Sequence, residues 1–137
     1  MHDIDHIIVQ LYESVSFEPY SQPDWDTLKG LFAEQAQLIK AGSGSELDHW
    51  FLDLKRFVSL SERHVSQSQL QHTGFKETET MRRTERYERI AHVFSSYEAV
   101  TADGRDQIIA RGTNSIQLVH FLGKWRITSL LWDEQNP

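Results

Sequence analysis

Apolar residues recur at helical spacing near the start of the chain. The first stripe has members three or four residues apart and predicts an amphipathic helix; it comprises Ile4, Ile7, Ile8, Leu11, Tyr12 and Val15. Two prolines within 17–23 end this helix, because proline cannot continue one. Pro23 suits the first turn of a short second helix. The apolar positions of that helix are Trp25, Leu28, Leu31 and Phe32.

The strongest helical stripe follows a short predicted strand at 37–41 and the Gly42–Gly44 break. Ser45 and Asp48 have the spacing of a capping box, so they predict where this helix begins. A continuous apolar face then predicts the longest helix of the chain, fraying through 59–64. The face is formed by Leu47, Trp50, Phe51, Leu54, Phe57 and Val58.

From residue 75 onward the pattern changes to that of extended strands. The segment 75–84 predicts a long strand that pairs with 90–99 through a turn near Tyr87 and Glu88. Two further runs of β-branched and aromatic residues extend to Trp132, with turns at Asp103-Gly104 and Gly123-Lys124. The order of elements predicts one α+β domain over 1–137, with N-terminal helices on the concave face of a strongly curved antiparallel sheet. We expect a pocket between the sheet and the long helix.

Composition narrows the protein class. The chain has 137 residues, enough for one domain with its own core, and it contains no cysteine. Its first residues carry acids where a signal peptide needs a basic start, and no apolar run approaches the ~20 residues that span a bilayer. We therefore expect a cytosolic (cytoplasmic) protein without a membrane partner.

The charge balance is acidic. A formal net charge of −6 and a pI near 5.6 argue against nucleic acid as the main partner. The basic residues between Lys76 and Arg89 alternate with glutamates, a pattern typical of a solvated face. Nucleic-acid binding through this segment would require a basic face despite those glutamates.

Three strings within the strand region carry a resemblance to a known family. They are Ile90-Ala-His-Val-Phe-Ser-Ser-Tyr-Glu98, Arg111-Gly-Thr-Asn-Ser-Ile-Gln-Leu118 and Gly123-Lys-Trp-Arg-Ile-Thr-Ser-Leu-Leu-Trp132. With the element order, they make the chain similar to the nuclear transport factor 2-like superfamily, and within it to the small single-domain bacterial branch. The resemblance implies the cone-shaped α+β fold that polyketide cyclases, ketosteroid isomerase and scytalone dehydratase share. It does not choose between enzymes and binding proteins, because one fold hosts many functions.

The catalytic sets of the enzymatic relatives do not transfer directly. The resemblance implies an acidic base, an Asp-Arg-Asp set or a His-Asp set, depending on the relative. Here no aspartate lies inside a predicted strand, since Asp103 and Asp106 belong to a turn.

Three polar residues on the predicted strands are candidate catalysts. His92 could move a proton near neutral pH, or be a structural or interface histidine. Asn114 could orient a ligand carbonyl or satisfy a buried neighbour. Arg111 could hold a carboxylate ligand or pair with an acid such as Glu98. Strand alternation separates His92 from Tyr97, and Asn114 from Arg111, but does not show which face of the sheet lines the pocket.

Aromatic residues exceed what packing alone requires, so some are candidate walls of an apolar ligand site. Core filling is the alternative for most of them. The candidate ligand-binding residues are Trp25, Phe32, Trp50, Phe51, Leu54, Phe94 and Trp132. We expect no cofactor, since no phosphate-binding loop occurs, and no metal, since only His2 and His6 have a shared helical spacing and they lie at a frayed terminus.

These features predict a homodimer, formed through one sheet face, whose pocket binds a small apolar molecule. Any reaction is expected to be cofactor-free acid–base chemistry of the isomerase, cyclase or dehydratase type. The alternative is a non-catalytic dimeric interaction module whose pocket is filled by its own aromatic side chains.

Overall fold

The computed structural model describes residues 2–42 and 50–135. The helices are α1 (His2–Val15), α2 (Trp25–Gly30), α3 (Leu54–Gln67) and α4 (Leu70–Thr73). The strands are β1 (Phe32–Lys40), β2 (Trp50–Asp53), β3 (Lys76–Tyr87), β4 (Ile90–Val100), β5 (Ile108–Phe121) and β6 (Lys124–Gln135). Within these ranges no helix is both long enough and apolar enough to cross a membrane.

Six strands form one curled, unclosed sheet in the order β2-β1-β6-β5-β4-β3. Strands β3 to β6 make the predicted antiparallel meander, while β1 adds to β6 in parallel. Register shifts interrupt the β3–β4, β4–β5 and β5–β6 ladders. Such bulges bend a sheet, so they favour the curvature that leaves a concave face. The predicted α+β class is confirmed.

The helices cover one face of this sheet, which we call the inner face. In β4 every second residue is buried, as alternation requires for a half-covered sheet; the buried set is Ala91, Val93, Ser95, Tyr97 and Ala99. On β5 the inner positions include Ala110, Asn114 and Ile116. The apolar stripe of α1 packs against these strands and supplies Ile4, Ile8, Leu11 and Tyr12 to the core. The uncovered side, which carries His92 and Phe94, is the outer face.

The predicted start of the long helix is wrong. Trp50–Asp53 is strand β2, paired with β1 through Phe51 and Ile39, and the helix begins at Leu54. The Asp53 side chain accepts a hydrogen bond from the backbone N of Arg56 (2.8 Å), which caps the helix there. The proposed capping box at Ser45 and Asp48 lies outside the described residues. At the other end the helix does not fray at 59–64 but continues to Gln67, because Val65 is buried.

The boundary between the second helix and the first strand also differs from the prediction. Helix α2 ends at Gly30, and Phe32 opens β1, which is longer than the predicted strand 37–41. Pro23 precedes α2 instead of lying in its first turn. Asp24 is the N-cap, since its carboxylate accepts from the backbone N of Thr27 (3.1 Å).

Candidate functional site

A cavity of about 320 Å³ lies between the inner face of the sheet and helices α1 to α3. Most of its wall is apolar, and its polar side chains come from five strands, β1 and β3 to β6, and from α3. Two larger depressions, of about 690 and 570 Å³, lie on the surface and are bordered mainly by charged side chains such as Arg86, Arg89, Lys29 and Glu62. The cavity between the layers is therefore the candidate site.

Aromatic side chains form one side of the cavity. Trp132 makes edge-to-face contacts with Trp50 (6.4 Å between ring centroids) and with Phe57 (5.8 Å). Trp25 and Phe32 complete this wall from α2 and the start of β1. The indole Nε1 of Trp25 is buried and has no hydrogen-bond partner within residues 2–42 and 50–135. A buried indole N–H normally finds an acceptor, so this donor is left unsatisfied.

Glu77 places a carboxyl group in the opposite wall. It lies on the inner face of β3, opposite Ala99, and its backbone N donates to Ser16 Oγ (3.1 Å). Glu77 is half-buried and borders the cavity. Burial, with the nearby Glu134 carboxylate as a second cause, raises the pKa of Glu77 to about 8. Glu77 can therefore both give and take a proton near neutral pH.

Glu134, by contrast, has partners for its charge. The Tyr97 hydroxyl donates to Glu134 Oε2 (2.7 Å), and Lys40 Nζ lies 3.8 Å from Oε1. Burial raises the pKa of the Tyr97 phenol, and the carboxylates of Glu77 and Glu134 raise it further. Tyr97 is therefore a hydrogen-bond donor at physiological pH.

Gly112 makes the contact between Tyr97 and Glu134 possible. It lies between these two residues across the sheet, paired with Tyr97 on β4 and with Glu134 on β6. A Cβ atom at position 112 would lie 2.5 Å from the Tyr97 hydroxyl and 2.8 Å from the backbone oxygen of Asp133. The Tyr97 phenol passes over β5 at Gly112, where no side chain blocks it. Gly112 thus marks a close approach of another side chain.

A chain of hydrogen bonds orients Asn114 at the inner end of the cavity. Ser95 donates to the Glu79 carboxylate, which Arg82 holds through Nε (2.9 Å) and Nη2 (2.7 Å). Because the Ser95 proton is used there, the Tyr12 hydroxyl donates to Ser95 Oγ (2.7 Å) and must itself accept a bond. Asn114 Nδ2 supplies it (3.1 Å).

This chain fixes the side-chain amide of Asn114, with Nδ2 toward Tyr12 and Oδ1 left as the acceptor. Burial raises the pKa of Tyr12 to about 12, so its hydroxyl stays protonated. Asn114 therefore contributes an oriented amide group to the cavity wall.

No protein-family model matches the chain, and no curated protein matches its sequence. Solved structures do match. A protein of unknown function with a cystatin-like fold from Nostoc punctiforme has a TM-score of 0.75 at 11% identity, with 98% of this chain and 90% of that chain covered. A nuclear transport factor 2-like protein from Pseudomonas putida has a TM-score of 0.73 at 10% identity, covering 96% and 84%. The chain has the nuclear transport factor 2-like fold.

A third similar structure, from Novosphingobium aromaticivorans, is named as a candidate scytalone dehydratase. Its TM-score is 0.69 at 12% identity, and 98% of this chain and 83% of that chain are covered. At this identity the likeness concerns the nuclear transport factor 2-like fold alone.

The nuclear transport factor 2-like fold brings five of the predicted site residues to the cavity. They are Asn114, Trp25, Phe32, Trp50 and Trp132. Leu54 packs against the core but borders the neighbouring surface depression. Phe51 points away from the cavity and is 75% exposed.

The other three candidates, His92, Arg111 and Phe94, lie on the outer face. His92 Nε2 is 2.9 Å from Ser115 Oγ, and Arg111 Nε donates to Glu98 Oε2 (2.9 Å). His92 and Asn114 are on opposite faces of the sheet, so the structure does not assemble the predicted pair. Alternation had shown that the two faces differ, but it could not say which one the helices cover.

The acidic residues of the cavity were not identified from the sequence. Glu77 belongs to a segment whose alternating charges are typical of a solvated face, and Glu134 lies beyond the last predicted strand residue. The available signal was the alternation of β3, which puts Glu77 on the same side as Phe75 and Glu79. Among the residues that the structure describes, no three histidines or acids are grouped so that they could hold a metal ion.

Proposed function

We propose that the protein binds a small, largely hydrophobic molecule in the cavity between sheet and helices. The observation that carries this proposal is the cavity itself, since about 320 Å³ bounded by aromatic walls lies within the range of small-molecule sites. A cavity of this size supports ligand binding over the alternative of a pocket filled by its own aromatic side chains.

The polar groups of the wall indicate that this molecule carries at least one oxygen or nitrogen atom. Asn114 Oδ1 is an oriented acceptor, and among the described residues the Glu77 carboxyl group has no side-chain partner. Buried polar groups cost free energy until they are paired. A ligand that supplies the missing partners gains affinity and a defined orientation from them.

Acid–base catalysis is a second candidate function, and the position of Glu77 favours it. A general acid or base is most effective when its pKa lies near the working pH, and the pKa of Glu77 is about 8. Glu77 thus takes the role expected of His92, with Asn114 or Tyr97 polarising an oxygen. Cofactor-free isomerisation, cyclisation or dehydration requires no other group. The similar structure named as a candidate scytalone dehydratase is consistent with this class.

The outer face supports the proposed homodimer. One row across the sheet places Phe51, Ile39, Leu131, Ser115 and Phe94 side by side on adjacent strands. Phe51 is 75% and Leu131 42% exposed, so the row presents apolar surface that a second copy would cover. A non-catalytic interaction module would use this face alone. A cytosolic location and the absence of a nucleic-acid partner stay predictions.

Binding can be tested with native mass spectrometry and with the neutral apolar probe N-phenyl-1-naphthylamine. We expect either a co-purified small molecule or a rise in probe fluorescence on binding. Ala110 lines the cavity and is buried, so Ala110→Leu should occupy ligand space and weaken binding by about tenfold or more.

The matched control is Gln117→Leu, on the exposed outer side of the same strand, which should bind the probe as the original chain does. If Ala110→Leu and the original chain bind equally, or if neither binds any small molecule, the proposal is wrong.

A further inference from the structure

Two hairpin turns lie side by side at one end of the sheet. One joins β3 to β4, the other joins β5 to β6, and His120 N donates to Arg89 O (2.9 Å) between them. We call this end the apolar tip, because it holds four of the nine large apolar side chains that the described residues leave exposed. They are Tyr87 (75% exposed), Ile90 (60%), Phe121 (41%) and Leu122 (82%).

Leu122 occupies a backbone position that leucine disfavours. The two-residue loop of this hairpin has positive φ at both positions, 52° at Leu122 and 84° at Gly123. Asparagine, aspartate and glycine are favoured in such loops, whereas a bulky side chain is an outlier there. Leu122 gains no burial in return, since it is 82% exposed. Neither the turn nor the packing of this chain explains a leucine at this position, and strain of this kind often marks a functional contact.

Cations surround the exposed apolar side chains. The Arg126 guanidinium lies over the Phe121 ring (4.6 Å) and the Arg86 guanidinium over the Trp125 ring (5.0 Å). Lys124 is exposed beside them. Within the described ranges, Arg86, Lys124 and Arg126 form no ion pair.

Acids also lie near the tip, but within the described residues none forms an ion pair with Arg86, Lys124 or Arg126. Glu88 lies 3.9 Å from Arg89, and Asp3 borders the depression between the turns. A chain of net charge −6 therefore has one end at which unpaired cations adjoin apolar side chains.

We propose that the apolar tip docks onto the surface of a bilayer that contains anionic lipid. Leu122 and Phe121 on one turn, with Tyr87 and Ile90 on the other, would enter the boundary between headgroups and acyl chains. Arg86, Lys124 and Arg126 would contact lipid phosphates. Apolar and aromatic side chains flanked by cations are the chemistry of interfacial attachment. The tip consists of adjacent turns rather than a groove, which fits a planar surface better than an inserted peptide. This attachment is independent of the cavity and its ligand. It differs from the expectation of no membrane partner, which rested on segments that insert into or cross a bilayer and not on surface contact.

Co-sedimentation with vesicles tests the proposal. The protein should bind vesicles of phosphatidylcholine with about one third phosphatidylserine, and binding should fall as salt rises from about 0.1 M to about 0.5 M. Leu122→Asn should reduce binding at least fivefold. Because asparagine suits this turn, the same variant should melt at the same or a higher temperature, so that loss of binding is not loss of fold.

Tyr20→Asn is the matched control. Tyr20 is also 75% exposed with a positive φ of 61°, but it packs against His72 (5.4 Å between rings) away from the tip. This variant should bind vesicles as the original chain does. Lys124→Glu should weaken binding to the anionic vesicles.

Three results would overturn the proposal: no sedimentation of the original chain, equal binding to vesicles of phosphatidylcholine alone, or unchanged binding by Leu122→Asn. If Leu122→Asn sediments as a smaller species than the original chain, the tip is a contact between copies of this chain. That result would also overturn the proposal.

Discussion

Glu77 affects both the stability of the protein and the chemistry of the cavity. Its carboxyl group has no side-chain partner in the part of the chain that the structure describes, and its pKa is raised from the usual 4.5 to about 8. The native state therefore holds a proton that the unfolded chain has released at neutral pH. The stability that this proton contributes is complete below about pH 4.5 and is lost as the pH rises through about 8.

We expect Glu77→Gln to remove this pH dependence. The amide is neutral at every pH, so the variant should be more stable than the original chain at about pH 9, by on the order of 2 kcal/mol because water in the cavity screens part of the charge. Near pH 5 the two should differ little. Urea unfolding at both pH values gives the comparison.

Glu85→Gln, an exposed site on the same strand, serves as the control and should show no such trend. If the free energy of unfolding changed with pH in the same way for Glu77→Gln and for the original chain, the pKa of Glu77 would not be raised.

Sequence patterns predicted the residues of the aromatic wall better than those of the acidic wall. Trp25, Trp50 and Trp132 are large and apolar, so any buried position suits them. Glu77 looks like a surface residue in sequence, and only the fold shows that it is half-buried beside the cavity. For His92 and Arg111 the strands were predicted correctly. The sequence did not show that both residues lie on the face that the helices leave uncovered.

At the scale of elements, the side chain of Tyr97 links three neighbouring strands. Tyr97 on β4 crosses Gly112 on β5 and donates to Glu134 on β6. The meander itself followed from alternation and turn residues alone. Strand β2 was missed because Trp50 and Phe51 also fit the helical stripe that continues to Val58, and only pairing with β1 decides between the two periods.

We expect Gly112→Ala to destabilise the fold by about 2 kcal/mol, because the new methyl group would overlap the Tyr97 phenol and a backbone oxygen. Ligand binding should weaken as well, since Tyr97 has to leave Glu134. Thermal unfolding and probe binding measure the two effects.

Gly30→Ala is the matched control. Nothing lies within 4 Å of a Cβ there, and Gly30 is in helix α2, so this change should stabilise the protein by about 0.5–1 kcal/mol. If the two substitutions changed the free energy of unfolding equally, the position of the Tyr97 phenol would not depend on the missing side chain at Gly112.

At the scale of the whole molecule, the two faces of the sheet serve different purposes. The inner face carries the core and the cavity, whereas the outer face presents the apolar row that includes Leu131 and Phe94. The sequence predicted two partly apolar faces, and the position of α1 shows which of them is free.

We expect Leu131→Lys to dissociate the proposed dimer, because it places a charge in the centre of the apolar row at little cost to a side chain that is already 42% exposed. Sedimentation equilibrium should show the dissociation constant rise by about tenfold or more. Leu122→Asn, at the tip, should leave the dimer intact. A monomeric original chain would show that the outer face has another role.

Strand β6 lies between β1 and β5. During synthesis on the ribosome, the sheet therefore cannot form fully until β6 has emerged. Phe32 pairs with Ile127, so β1 lacks this neighbour until almost all of the described chain has been synthesised. Pairings between residues so far apart in sequence form slowly, because a long loop has to close first. Until β6 arrives, the facing edges of β1 and β5 are open to strands of other nascent chains. The yield of folded protein in a cell should therefore depend more on how quickly β6 follows β5 out of the ribosome than on added stability in the finished fold.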